Sequence, residues 1–306
     1  MQCFCGCINY PYVIVIPFSV HRTRLFIDWL YLSARNQDLP YATPVNTAGM
    51  PIGTTAAVSS DYSPGFRLGG AIATTDDCTS LYLAWTRFRS SESDAARSSG
   101  GTLLRSNLAH PAGLPVAPDS NLASAAYDVD FETADVLIDH TFRSTCYSRL
   151  NGHIGLRWAA LTQDVRALHV AGGGVRSIGT EIDFDGIGPR AGFDYERIGR
   201  QGLITYYRGA LSLLAGEFDA RYRQVGPGIS AAMQDDRLVP QIDLELGLGW
   251  ESHDGAMRMT AGYFWGLWHN TLAAPDFING VQSGQLPGVD ETLIFDGLAI
   301  RAEVRY

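Results

Sequence analysis

Apolar and charged residues alternate along the last ten residues of the chain, 297–306. Successive side chains of a β-strand point to opposite faces, so this alternation predicts a strand with one apolar face and one charged face. The apolar face carries Leu298, Ile300, Ala302, Val304 and Tyr306, and the charged face carries Arg301, Glu303 and Arg305. The chain also ends on an aromatic residue, which a strand in a soluble sandwich does not require.

The same alternation recurs along the chain and predicts ten strands. The eighth is the clearest, because the residues from Ile242 to Trp250 alternate with Asp243, Glu245 and Glu251. Such a row of carboxylates must contact water or pair with arginine, because burying an unpaired carboxylate costs free energy. In order, the predicted strands cover residues 24–35, 64–74, 80–89, 127–142, 150–170, 186–193, 206–213, 242–251, 257–265 and 297–306. We expect bulges near Thr133 and at the glycines around Pro189.

The predicted connections differ in length. Long loops are expected over residues 36–63, 90–121, 225–237 and 270–291, after the first, third, seventh and ninth strands. The other connections are short. Outer-membrane barrels have long loops outside and short turns facing the periplasm, where both chain ends also lie.

These patterns together predict a membrane barrel. No run of about 18 apolar residues is present, so the chain does not cross a membrane as a helix. A closed barrel is the other structure that pairs every backbone polar group in lipid. We therefore predict an all-β fold, a closed antiparallel transmembrane β-barrel of about ten strands. Its last strand pairs antiparallel with residues 24–35.

The alternation also assigns residues to the two faces of the barrel. The predicted pore-lining residues are Asp28, Arg67, Asp139, Arg143, Arg157, Arg190, Arg208, Asp243, Glu245, Arg258, Arg301, Glu303 and Arg305. The predicted lipid-facing belt contains Trp29, Tyr31, Trp158, Trp250, Trp265 and Tyr306. Because a lone buried carboxylate is costly, we expect Arg208 or Arg258 to pair with Glu245, and Arg301 and Arg305 to meet Asp28.

Composition narrows the chemistry. The net charge of −9 argues against a nucleic-acid partner, because such binding requires a basic surface. All 23 basic residues are Arg, which forms rigid bidentate pairs, although a genomic base-composition bias would explain the same fact. Cys3, Cys5 and Cys7 lack the spacing of a zinc site, and we predict neither a metal nor a cofactor. Cys78 and Cys146 fall in predicted periplasmic turns. Disulfides persist in the periplasm, so the two residues either form a disulfide or are both free thiols.

The first 23 residues are predicted to lie outside the barrel, which then forms a single domain over 24–306. The apolar stretch 13–18 resembles a signal-peptide core, but no basic residue precedes it and no small-residue cleavage site follows. We interpret residues 1–23 as a degenerate export segment or as the product of a misassigned start codon.

Several segments, in this order, resemble the Legionella-type major outer membrane protein family. They are Phe26 to Tyr31, Ala134 to His140, Gly186 to Gly192, Ser212 to Phe218, Val239 to Trp250 and Asp296 to Tyr306. The resemblance covers nearly the whole chain after residue 24 and implies a pore-forming barrel in a bacterial outer membrane. The implied partners are outer-membrane lipid and, through the terminal strand, the barrel-assembly machinery. Further copies of the chain, in a homo-oligomer, are an additional alternative.

Three functions remain as alternatives. The first is a narrow pore for small solutes with a charged lumen, and the second is a non-conducting structural or anchoring barrel whose lumen is filled by ion pairs. The third is an outer-membrane hydrolase that uses Asp183, Asp185, His169 and His269 near the outer rim. No nucleophile or metal motif accompanies these four residues, so we expect no enzyme activity.

Overall fold

The computed structural model describes residues 23–35, 38–74, 78–113, 120–145, 147–171, 174–225, 228–285 and 291–306. The predicted export segment lies almost wholly outside these residues, as do Cys3, Cys5, Cys7 and Cys146. Among the described residues, no helix is long and apolar enough to cross a membrane.

Thirteen strands and one α-helix follow one another along the described chain. The strands are β1 (Thr23–Arg35), β2 (Leu39–Val45), β3 (Ala56–Val58), β4 (Ser63–Ala73), β5 (Thr79–Arg97), β6 (Leu103–Ser106), β7 (Leu122–Ser144), β8 (Ser148–Ala171), β9 (Gly174–Ile198), β10 (Leu203–Val225), β11 (Ile229–Glu251), β12 (Met257–Thr271) and β13 (Glu291–Arg305). The helix α1 spans Ala274–Ser283, and short 3-10 turns occur at Pro111–Gly113 and Arg200–Gly202.

Ten of the strands form a closed antiparallel barrel, as the alternation predicted. Around the barrel the order is β1, β13, β12, β11, β10, β9, β8, β7, β5 and β4. The first and last strands pair from Arg24 with Arg305 to Arg35 with Ile294. Thr23 and Tyr306 extend this pairing with two backbone hydrogen bonds of 3.0 Å. Closure leaves no strand edge unpaired in hydrocarbon.

The two ends of the barrel differ. We call the end with Thr23 and Arg305 the terminal end and the opposite end the loop end. The connections at the terminal end are short: 74–78, 145–147, 199–202 and 252–256. At the loop end three connections are long, and they contain the remaining elements. β3, β2 and β6 form a separate three-stranded sheet, and α1 lies between β12 and β13.

The predicted loop over residues 225–237 is wrong. β10 and β11 continue as a paired hairpin through this region, with Glu217 opposite Asp236 and Gln224 opposite Ile229. The side chains there are polar on the outside, so the apolar alternation that marks a lipid-facing strand is lost although the backbone ladder continues. For the same reason β5 runs to Arg97, beyond its predicted end.

The two predicted bulges are also wrong. Thr133 pairs in register with both of its neighbours, and the irregularity of β7 lies between Thr141 and Arg143. Around Pro189, the β9–β10 pairs on either side have the same register, and the β8–β9 pairing is continuous. The apparent slip arises because the apolar residues Val129 and Phe131 face inward before Thr133, whereas Val136 and Ile138 face outward after it.

Candidate functional site

The charged lumen begins where β1 meets β13. Asp28 is directly opposite Arg301, so both side chains enter the barrel on adjacent strands. The guanidinium of Arg301 donates to both carboxylate oxygens of Asp28, at 2.6 Å from Nε and 2.8 Å from Nη2. Arg67 on β4 adds a third donor at 3.2 Å. This geometry compensates the burial of Asp28, which is only 1% exposed.

A second cluster crosses the lumen between β7, β8, β9 and β11. Arg157 donates to both oxygens of Asp135, at 2.6 and 2.7 Å. Its third nitrogen, Nη1, donates to Asp243 at 2.7 Å, and Arg190 reaches the same carboxylate at 2.8 Å. Arg157 therefore links two carboxylates from opposite parts of the wall. Charge pairs of this kind connect strands that are not adjacent, across the interior of the barrel.

The predicted partner of Glu245 is confirmed. Arg208 donates to Glu245 Oε1 at 2.9 Å, and the Tyr206 hydroxyl donates to the same oxygen at 2.8 Å. Arg258, the alternative partner, instead binds Glu196. The two arginines face the same lumen from β10 and β12. Arg208 is directly opposite Glu245, whereas Arg258 is opposite Glu251, nearer the terminal end, so Arg208 is the partner of Glu245.

A third cluster lies nearest the terminal end. Arg258 binds Glu196 at 2.7 and 2.9 Å, and Arg305 binds Glu303 at 2.6 Å and Glu251 at 3.0 Å. The expectation that Arg305 meets Asp28 is therefore wrong. Arg305 is four residues closer to the terminal end than Arg301, and nearer carboxylates take its donors.

A cavity remains among these clusters in the terminal half of the barrel. It offers about 90 Å³ of water-accessible space, and Arg24, Asp139, His153, Asp194 and Ala210 are among its lining residues. A single water needs roughly 10–15 Å³ measured this way. The cavity therefore has room for several waters and is far smaller than an open aqueous channel.

Toward the loop end, aromatic side chains replace the charges. We call Phe88, Phe131, Trp268 and Phe295 the apolar layer. Phe131 and Phe295 have ring centroids 4.6 Å apart, and all four residues are at most 6% exposed. On the facing wall, the rings of Phe184 and Phe218 are also 4.6 Å apart.

The helix α1 closes the loop end above the apolar layer. Its buried residues Phe277, Ile278 and Val281 belong to the same continuous apolar cluster as that layer. Polar contacts fix both of its ends. Gln163 receives the Ala274 N–H at 3.1 Å and donates to the Leu272 carbonyl at 2.7 Å, and Gln282 donates to the carbonyls of Asn107 and Ala109.

Twelve of the thirteen residues predicted to line a pore are buried or half-buried within the barrel. The thirteenth, Arg143, is exposed, because the irregularity after Thr141 interrupts the alternation. Three further charged residues inside the barrel, Arg24, Asp135 and Glu196, were not predicted. Each is an even number of residues from a predicted inward residue on the same strand, so the alternation of side chains could have identified it.

The predicted belt residues lie on the outer face. Trp29, Tyr31, Trp250 and Tyr306 are between 40% and 63% exposed, and Trp158 and Trp265 are half-buried among outward neighbours. Trp158 also donates to Asp185 at 2.6 Å. Apolar outer residues continue around the barrel, as membrane residence requires.

The four residues of the hydrolase hypothesis do not form one site. Asp183 and Asp185 alternate with the inward Ile182 and Phe184, so they are on the outer face, whereas His169 is buried inside. Burial, together with the nearby Arg176 guanidinium, lowers the pKa of His169 to about 4. His269 contacts Thr292 at 3.0 Å.

Cys78, at the terminal end, is disulfide-bonded in the structure. Cys146, the partner considered in the sequence analysis, lies outside the described residues.

The closed barrel, its apolar outer face and its charged interior define an outer-membrane β-barrel protein. The family model described as Legionella pneumophila major outer membrane protein precursor matches residues 16–304. The chain belongs to this family, and it is a protein of the outer membrane, in contact with lipid. The search of curated proteins found no match.

Two solved structures of outer-membrane proteins are similar to the chain at low identity. The outer membrane protease OmpT from Escherichia coli is 9% identical, with a TM-score of 0.49, over 94% of this chain and 98% of that one. The toluene transporter TodX from P. putida is 9% identical, with a TM-score of 0.35, over 93% and 89% of the two chains. Likeness at this level carries no information about function.

Proposed function

We propose that this protein is a structural barrel of the outer membrane whose lumen does not conduct solutes in the conformation described. The observation that carries the proposal is the filling of the lumen along the described part of the chain. Ion pairs occupy the terminal half, and the apolar layer and α1 occupy the loop half. Barrels of about eight strands are filled by side chains, whereas those of about 16 carry aqueous channels, so ten strands lies near the filled end.

The energetics support a lumen that stays closed. An ion passing the apolar layer would exchange water for Phe131, Trp268 and Phe295, and burial of an unpaired charge is costly. Opening the ion-pair clusters would leave carboxylates such as Asp28 and Asp135 without donors. Breaking one such buried pair costs about 3–5 kcal/mol.

The test is the conductance of the refolded full-length protein in planar bilayers. We expect no single-channel steps above the background of protein-free membranes. Steps of uniform size from protein that migrates as a folded barrel on a detergent gel would overturn the proposal.

A narrow pore for small solutes is the second candidate, favoured by the water-accessible cavity in the terminal half. On this hypothesis α1 must leave the loop end for solutes to pass. Gln282→Ala removes the hydrogen bonds from α1 to residues 107–109, so it should increase the open probability. Ser283→Ala is the matched control, because among the described residues the Ser283 hydroxyl donates to the Gly280 carbonyl of the same helix.

A further inference from the structure

The cavity in the terminal half of the barrel contains polar groups that the ion-pair clusters leave unsatisfied. Asp139 is 7% exposed and lines the cavity. Arg24 binds its Oδ2, but its Oδ1 is buried without a hydrogen-bond partner. Buried polar groups in native proteins are almost always bonded, so such an atom calls for an explanation.

Two further acceptors lie on the next two strands, Asn151 on β8 and Asp194 on β9. Asn151 is directly opposite Asp194, and its Oδ1 is also buried without a partner. Asp194 lines the cavity and accepts no hydrogen bond within the described part of the chain. Asp139, in turn, is directly opposite His153 on the strand that carries Asn151. Of these acceptors, Asp139 and Asp194 line the cavity.

Two small residues lie next to these groups. Gly192 on β9 pairs with Ala210 on β10, between longer inward side chains. A Cβ at position 192 would collide with Nε2 of His153, so the imidazole lies directly over this glycine. Ala210 lines the cavity. The imidazole therefore occupies the space over Gly192, and the small side chain of Ala210 borders the void.

We propose that this cavity binds a small organic cation through a primary ammonium group. An ammonium group has three donors, and the unsatisfied acceptors that line the cavity are Asp139 Oδ1 and the Asp194 carboxylate. Its charge compensates Asp194, which no arginine of the described chain neutralises by direct contact. The chain contains no lysine, so no side chain of this protein supplies an ammonium group.

The alternatives are a metal ion and water alone. No group of three or more His, Cys, Asp or Glu in the described chain is arranged to hold a metal ion. Water fits the space but does not supply charge for the Asp194 carboxylate. The site does not rest on the proposed closed lumen, because binding from the terminal end requires no passage through the apolar layer.

The test measures binding of methylammonium chloride to the refolded full-length protein in detergent, by saturation-transfer NMR. We expect saturable binding that is weakened at least about tenfold in Asp194→Asn, the loss expected for one charge-assisted hydrogen bond. Asp183→Asn, which removes an outward carboxylate from the same strand, should leave binding unchanged. All variants are first shown to migrate as folded barrels.

A second variant tests the space rather than the charge. Ala210→Leu fills the cavity without removing an acceptor, so it should abolish binding; if it does not fold, Asp194→Asn decides alone. No saturable signal in the natural sequence would mean that the cavity holds only water and would overturn the proposal. Equal binding by Asp194→Asn, or equally effective competition by sodium, would also overturn it.

Discussion

Among single residues, Arg301 has the clearest energetic role. Arg301→Met leaves the buried Asp28 carboxylate with only the more distant Arg67 as a donor. We expect the free energy of unfolding to fall by about 3–5 kcal/mol, measured by denaturant titration of the refolded barrel. The double variant Asp28→Leu with Arg301→Met should recover most of this loss, because neither charge remains unpaired. A single variant within about 1 kcal/mol of the natural sequence would contradict a compensating role for Arg301.

His169 gives a second prediction at the residue scale. The outward Asp164 and Arg166 place this part of β8 beyond the lipid-facing belt. The folded pKa of about 4 lies below the unfolded value of about 6.5, so the folded protein holds neutral His169. The stabilisation is therefore complete above pH 6.5 and is lost as the pH falls toward 4. The loss should reach as much as about 3 kcal/mol.

The measurement compares unfolding of the natural sequence and His169→Gln across this range. The carboxylates titrate in both proteins, so the difference between the two curves isolates the imidazole. Parallel curves would mean that His169 titrates alike in the folded and unfolded states. The sequence placed His169 near the outer rim, but it could not show burial, because the side chains that cover it come from distant segments.

At the scale of the element, Gly188 determines how closely β9 and β10 approach. A Cβ at this position would collide with the backbone carbonyl of Leu213. Gly188→Ala should therefore lower the free energy of unfolding by about 1–3 kcal/mol through overpacking. Gly179→Ala on the same strand is the control, because nothing lies within 4 Å of its added Cβ. Equal stability of the two variants, measured in denaturant, would show that the strands can separate at Gly188 without cost.

The elements also show what the sequence could predict. All ten barrel strands were identified where their outer residues face lipid, because only there does the period-two alternation persist. β2, β3, β6 and α1 were predicted as loops, since their burial depends on contacts with the barrel interior. The alternation of side chains along a strand predicts which arginines and carboxylates face inward. It does not predict their partners, because these depend on how the strands are tilted against one another. Arg258 and Arg305 are examples, since both bind carboxylates other than the expected ones.

At the scale of the whole molecule, the barrel depends on the pairing of its two ends. Tyr306 exchanges two backbone hydrogen bonds with Thr23 and presents an exposed aromatic ring at the terminal end. An unpaired strand edge in hydrocarbon costs several kcal/mol for each unsatisfied group, so an unclosed barrel does not persist in the membrane. Deletion of Tyr306 should therefore prevent the appearance of a heat-modifiable barrel in the outer-membrane fraction, while export across the inner membrane continues.

Val304→Asp should have the same effect, because it puts a carboxylate on the lipid-facing side of the closing strand, where Val304 is 48% exposed. Tyr306→Phe is the control, since it keeps both the backbone and an aromatic ring for the interface and for the assembly machinery that we propose reads this strand. Recovery of a heat-modifiable barrel after deletion of Tyr306 would show that the terminal residue is dispensable and that closure is complete without it. Loss of assembly in Tyr306→Phe would instead assign the role to the phenolic hydroxyl, which no outer-membrane girdle requires.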